Sequence, residues 1–307
     1  MTTIVFSHPS SVEHDTGPGH PERPDRIRAV LRVLDGEEFS GLTRREAPAA
    51  EIAQIARVHP DGYAERLLAA APVEGTVRID PDTVMSPESG EAALRAAGAL
   101  IGAVDAVVSG EVENAFCAIR PPGHHAEPTH GMGFCLFNNV AIAAAHARAE
   151  HGLEKIAVVD FDVHHGNGTQ SYFEEDPALF FGSTHEYPLY PGTGAASETG
   201  VGNIFNAPLS SGSGSEAFRA RMDDLILPGL REFGPDLILI SAGFDGHERD
   251  PLATLRLHED DYGWVTGRIR EIAGEHCDGR VISTLEGGYD LDALAASAAA
   301  HVHALIA

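Results

Sequence analysis

Short apolar runs alternate with longer stretches of helical periodicity along this chain of 307 residues, and that alternation limits what it can fold into. Apolar strands buried on both faces and separated by helices are the pattern of a parallel sheet covered on either side. The spacing predicts strands at 4–6, 115–119, 156–161, 179–183, 237–242 and 281–285. Helices are predicted at 25–34, 61–71, 89–108, 138–150, 216–232, 259–275 and 291–306. Pro24 and Pro60 stand just ahead of two helices, where a missing N–H costs nothing, and Gly152 follows 138–150 as a stop. With no repeat, low-complexity stretch or linker, the expected fold class is α/β, as a single domain over residues 1–307.

Charge narrows the partners. Asp and Glu number 46 against 21 Lys and Arg, a formal net charge of −25. A phosphate backbone would repel that surface, so nucleic acid is not an expected partner. The same acidity suits a cationic substrate, or simply solubility and salt tolerance. No apolar run approaches the roughly 18 residues of a membrane span, so no membrane partner is expected. The chain enters the Ile4-Val5-Phe6 run without a basic leader. Cys117, Cys135 and Cys277 lie far apart, which makes neither a disulfide framework nor a thiolate zinc site, and a cytoplasmic location is expected.

Ligands of open parallel sheets bind beyond the carboxyl ends of the strands, so polar residues gathered there are the candidates. Four clusters qualify: Pro121-Pro122-Gly123-His124-His125, the run from Asp160 to Gly168, Gly243-Phe244-Asp245, and Glu286-Gly287-Gly288-Tyr289. Asp162 and His164 are two apart, so on extended backbone they project to one side. With Asp245 they could hold a metal by three protein ligands and leave a position open, as catalytic zinc is held. Without a thiolate the set also suits iron(II), cobalt(II) or manganese(II). Taken alone, the pair is better read as Asp160 and Asp162 capping a loop while His164 packs in the core; clusters converging at several strand ends reverse that preference and favour a site.

His124 and His125 would repel if both were charged, so they need different partners, and Asp160 and Asn167 are the candidates. One imidazole can then act as general base while the other shapes the field. Tyr289 follows two glycines that leave room for a substrate, where a phenol can donate to a developing oxyanion. HExxH, Walker A and GxSxG patterns are absent, which removes zincin, P-loop and serine-hydrolase chemistry.

These segments resemble the zinc-dependent histone deacetylases and acetylpolyamine amidohydrolases. The resemblance runs over nearly the whole chain: GHPERPDR at 19–26, RPPGHHAE at 120–127, GFC at 133–135, DFDVHHGNGTQ at 160–170, SAGFD at 241–245 and LEGGY at 285–289. It implies the three-layer arginase/deacetylase fold, a central parallel sheet of about eight strands flanked by helices. It also implies one catalytic zinc ion held by Asp162, His164 and Asp245, with water attacking the carbonyl of an N-acetyl amide. Tyr289 would donate to the oxyanion, His125 would serve as general base and then acid, and His124 would be an electrostatic partner bonded to Asp160. Phe134 and Tyr190 match the walls of an acyl-lysine channel, with Gly133, Leu252, Gly287 and Gly288 beside them. Arg26 matches an arginine lining the inner, acetate-side cavity. A potassium ion is implied near Asp160, Asp162, His164, Ser183 and Thr184, mostly through backbone oxygens.

Asn167 stands where one branch of the family has aspartate, and the RPPGHH and EGGY segments resemble the class II branch. A neutral partner should leave His125 less basic than a carboxylate would. Leu252, seven residues after Asp245, matches a position where polyamine-selective relatives carry glutamate, which leans toward acetyl-lysine. Glu88, Glu127, Glu186 and Glu248 are the acids that could serve a polyamine instead. The short first loop lacks the long insertion with which resembling polyamine enzymes build a narrow dimeric mouth. Asp82, with Asp80 as the competing alignment, is the expected rim residue holding the substrate backbone. The expected activity is hydrolysis of N-acetyl-lysine side chains in a peptide or protein, or of a related small acylated amine. Acetylpolyamine amidohydrolysis is the alternative, and a homo-oligomer is left open.

Overall fold

A computed structural model describes residues 2–60 and 62–307. Among them ten strands form in chain order: β1 (Thr3–Ser7), β2 (Thr43–Glu46), β3 (Val77–Arg78), β4 (Val84–Met85), β5 (Asn114–Cys117), β6 (Ile156–Asp160), β7 (Leu179–Glu186), β8 (Ile204–Leu209), β9 (Leu237–Ala242) and β10 (Val281–Leu285). Eight of them make one sheet in the order β2-β1-β5-β10-β9-β6-β7-β8, every neighbouring pair parallel. The strands β3 and β4 pair antiparallel in a separate ribbon.

Apolar residues at successive strand positions put both faces of the sheet in a core. Ile4, Phe6, Ile156, Val158, Leu237 and Leu239 join one core with the helices Ser89–Val108 and Asn139–His151. Val5, Ala157, Val159, Ile238 and Ile240 join the other. That second core is closed by the helices Pro24–Leu34, Glu259–His276 and Leu291–Ile306. Each such fully buried Val, Leu or Ile contributes about 1.5–3 kcal/mol. The result is the three-layer α/β arrangement expected.

Helix ends follow local chemistry. Pro24 occupies the first turn of its helix. Asn138 accepts the N–H of Ala141 at 3.0 Å, and Gly152, at φ +67°, closes the same helix. The helix expected at 61–71 forms over Tyr63–Ala69, and its expected first residue, Asp61, lies outside the described residues. The helix expected at 216–232 is broken into Ser215–Arg221, a π turn at Met222–Ile226 and Leu227–Phe233. Pro228 has no N–H to give the ladder, and the wider turn just before it absorbs the mismatch.

Five strands that carry functional segments, β5, β10, β9, β6 and β7, are neighbours in the sheet. Their carboxyl ends therefore form one continuous row.

Candidate active site

The backbone leaving β6 carries Asp162 and His164, and the backbone leaving β9 carries Asp245. His164 Nδ1 lies 3.2 Å from Asp162 Oδ1 and 3.1 Å from Asp245 Oδ2, and all three residues are buried. Backbone N–H groups aim the carboxylates. Asp162 accepts from His164 and Gly287, both at 2.8 Å, and Asp245 accepts from Val163 at 2.9 Å. A methyl group on Gly243 or Gly287 would run into these carboxylates, so close approach requires glycine at both positions.

Two carboxylates and an imidazole out of water are costly unless a cation lies among them. Burial opposes charge on His164, yet Asp162 and Asp245 push its basicity up to about 10. The donor set fits a divalent ion such as zinc, with nitrogen and oxygen ligands and no thiolate.

Two further groups converge among the described residues, Asp105 with His146 and His151, and His247 with His258 and Glu259. In each, a donor faces the far nitrogen of the buried histidine. Arg57 Nη1 is 3.4 Å from His146 Nδ1, and the Arg249 N–H is 3.2 Å from His247 Nδ1. The hydrogen therefore sits on Nε2, turned toward a carboxylate 2.8 and 3.3 Å away, and that nitrogen has no lone pair to offer a metal.

The turn after β5 delivers the paired histidines, whose ring centroids are 4.0 Å apart. Their partners differ. His124 Nδ1 is 2.9 Å from Asp160 Oδ2, and His125 Nδ1 is 2.8 Å from Asn167 Oδ1. Burial disfavours charge on both rings, but Asp162, Asp160 and Glu286 outweigh it at His124 and push that ring up to about 10. At His125 burial and the neighbouring His124 charge act together and hold it well below the usual histidine value. The two rings are pushed in opposite directions. The Asn167 amide is pinned because its nitrogen donates to Glu127 Oε1 at 2.6 Å, leaving its oxygen for His125. Nδ1 of His125 then carries the hydrogen, and Nε2 keeps a free lone pair.

A cavity of about 220 Å³ adjoins these groups, lined by His124, His125, His164, Gly287 and Tyr289 and walled by Pro122, Phe134, Leu189, Tyr190 and Leu252, with Gly133 and Asp82. Gly133 and Phe134 both have left-handed backbone, φ +57° and +67°. For a phenylalanine that conformation is strained and is held by its surroundings. Its N–H donates to Thr83 Oγ1 at 3.0 Å, and its ring meets the Tyr289 ring edge-on at 5.9 Å. Burial lifts the Tyr289 phenol well above its usual value, so at neutral pH it keeps its proton and can donate.

The histone deacetylase domain matches residues 20–305. The chain belongs to the histone deacetylase family. It is 40% identical over 287 residues to a histone deacetylase-like amidohydrolase of Pseudomonas aeruginosa, covering 91% of this chain and 74% of that protein. It is 41% identical to a probable deacetylase of Archaeoglobus fulgidus, covering 95% and 82%. A crystal structure of the HDA15 HD domain superposes with a TM-score of 0.95 at 34% identity, covering 99% of this chain and 88% of that one. As a histone deacetylase family member, the protein is a hydrolase acting on amides.

Most expected channel residues of this family member do line the cavity: Phe134, Tyr190, Gly133, Leu252, Asp82 and Gly287. Arg26 is not among the residues lining this cavity. Its guanidinium lies across the Tyr289 ring, 4.8 Å from the centroid, and donates to the carbonyls of Gly288 and Glu286 at 2.5 Å each. Glu22 pairs with it at 2.9 Å, and this fully buried arginine braces the tyrosine from behind. Gly288 is likewise outside the lining, its carbonyl taken by Arg26.

Asp80 pairs with His130 at 2.9 Å and Asp82 lines the cavity, so the cavity favours Asp82 over its competitor. Glu88, Glu127, Glu186 and Glu248 are all absent from the lining. Ser183 stands in register with Asp160, and the Thr184 hydroxyl is buried without a partner.

Two buried acids bond backbone that is distant in sequence. Glu286 accepts the N–H groups of Gly123 and His124 at 2.7 and 3.2 Å, and Asp250 binds the backbone of Tyr289. Glu286 was visible as a neighbour of Tyr289, but the loop it holds is far away in sequence.

Proposed function

We propose that this protein is a zinc-dependent deacetylase that hydrolyses the amide of N-acetyl-lysine side chains. The carrying observation is the convergence of Asp162, His164 and Asp245 with His125 and Tyr289 beside one largely apolar cavity. Held by Asp162, His164 and Asp245, zinc would supply Lewis acidity toward the acyl oxygen and make water a stronger nucleophile.

His125, anchored through Nδ1–H to Asn167, takes the proton of the attacking water at Nε2 and returns it to the departing amine. His124, whose Nδ1 faces the Asp160 carboxylate at 2.9 Å, is the electrostatic partner of His125 and favours negative charge developing nearby. Tyr289 donates its hydroxyl hydrogen to the carbonyl oxygen as that oxygen gains charge. The expected potassium ion near Asp160, Asp162, His164, Ser183 and Thr184 is part of this reading, supported by the Asp160–Ser183 register and the unpartnered Thr184 hydroxyl.

The walls speak to the substrate. Pro122, Phe134, Leu189, Tyr190 and Leu252 suit the uncharged methylene stem of an acylated lysine. Asp82 is the one carboxylate in the lining, and its Oδ1 already accepts from Gly133 at 3.0 Å and Thr83 at 2.8 Å. A polyamine would bring additional ammonium groups against this mostly apolar wall, with Asp82 alone in the lining to pair with them. Turnover of an acetyl-lysine peptide beside N-acetylputrescine tests the reading. Preference for the peptide is expected, and strong preference for the polyamine would overturn the substrate assignment.

A further inference from the structure

The backbone that presents Tyr289 follows Gly287 and Gly288, the latter at φ +121°. Glycine pairs impose little conformation of their own, so the position of the tyrosine has to be fixed from outside. Arg26 holds the carbonyls of Glu286 and Gly288, and Asp162 holds the N–H of Gly287. The N–H of Tyr289 itself is held by Asp250.

Asp250 comes from the segment beyond Asp245. Its Oδ2 accepts the Tyr289 N–H at 2.7 Å, and its Oδ1 accepts the Leu252 N–H at 2.9 Å. Its own N–H donates to the His247 carbonyl at 2.9 Å, which fixes the turn carrying the carboxylate. The residue is 7% exposed, so water competes poorly for either oxygen. Tyr289 and Leu252 are 37 positions apart by their residue numbers, yet both line the cavity.

We propose that Asp250 is the positioning residue of this site. One carboxylate fastens the backbone of the phenol donor with one oxygen and the backbone of an apolar wall residue with the other. It touches neither substrate nor metal and acts on the reaction through where Tyr289 stands. The inference rests on the proposed role of Tyr289 as the carbonyl's donor.

The test is a double-mutant cycle in the zinc-loaded enzyme with an acetyl-lysine peptide, combining Asp250→Ala and Tyr289→Phe. Misplacement of a catalytic group by about 1 Å can cost 10²-fold, so Asp250→Ala should lower kcat by about 10- to 100-fold. In the Tyr289→Phe background the same change should lower kcat hardly at all, because the group it positions is gone. An equal fold-loss in both backgrounds, or full activity of Asp250→Ala alone, would overturn the proposal. Asp250→Asn has the same shape and keeps one acceptor oxygen. It should fall between wild type and the alanine variant in kcat, and it serves if the alanine variant does not fold. An asparagine variant whose fold-loss is the same in the wild-type and Tyr289→Phe backgrounds would also count against the proposal. Wild-type enzyme with bound zinc and no deacetylation would defeat the functional reading instead.

Discussion

His125 Nδ1 stands 2.8 Å from the amide oxygen of Asn167, whose nitrogen is in turn tied to Glu127 at 2.6 Å. The general-base candidate is thus oriented by a neutral group, while His124 next to it is paired with a carboxylate. Changing the orienting group should change the pH dependence. Asn167→Asp alone would place a second carboxylate against Glu127, so the informative variant is Asn167→Asp combined with Glu127→Gln.

A carboxylate facing His125 favours its charged form and raises its pKa. A base must be neutral to work, so the acid-side fall in kcat/KM should move to higher pH, by about one pH unit or more. A pH–rate profile of the double variant against wild type checks this. An unmoved acid limb would mean that His125 is not the titrating base.

Tyr289 is braced by Arg26 behind its ring and by Phe134 at its edge. Tyr289→Phe keeps the ring and removes only the hydroxyl. It should lower kcat by roughly 10²–10³, the usual loss for one oxyanion donor, with little change in thermal midpoint. Steady-state kinetics on purified variant supply the measurement, and undiminished turnover would mean that the carbonyl is polarised elsewhere.

Much of this arrangement is legible in the chain. Strands buried on both faces write themselves as continuous apolar runs, and Leu237–Ala242 and Val281–Leu285 form where the spacing placed them. The sheet edges do not announce themselves. The strand β2 reads Thr-Arg-Arg-Glu with every residue exposed, and β8 carries an asparagine and a proline, which edge strands tolerate. The candidate metal ligands Asp162 and His164 and the paired histidines are visible because their spacing within short segments is itself the signal. Residues that act by bonding a distant backbone are not. Asp250 reaches Tyr289 across 39 positions, and nothing in an Asp-Pro-Leu turn discloses that. Arg26 stands out within its GHPERPDR segment, but its bonds to the distant carbonyls of Glu286 and Gly288 do not.

Glu22 is the centre of a buried network joining the amino-terminal segment to the site. It bonds Arg120 through both oxygens and Arg26 at 2.9 Å, and lies 3.5 Å from His14. Burial pushes its carboxyl up, but Arg120, His14 and Arg26 together hold it well below the usual 4.5. A group with a depressed folded-state pKa stabilises the fold fully above the unfolded value, here about pH 4.5, and loses that contribution as pH falls through the folded value. Glu22→Gln leaves two buried guanidinium groups facing a neutral amide and should cost about 3–5 kcal/mol at neutral pH. Denaturant unfolding of both proteins measures it, and a loss below about 1 kcal/mol, the scale of an exposed pair, would mean that the network adds little.

The proposed function has Asp162, His164 and Asp245 hold the metal on which amide hydrolysis depends. It is tested most directly by measuring zinc per chain and acetate release from an acetyl-lysine peptide for wild type, chelator-stripped wild type and Asp245→Ala. Wild type should retain zinc through dialysis and release acetate. The stripped enzyme should regain activity when zinc is restored, and Asp245→Ala should neither retain zinc nor turn over. Full acetate release from metal-free wild type, or undiminished zinc in Asp245→Ala, would contradict it.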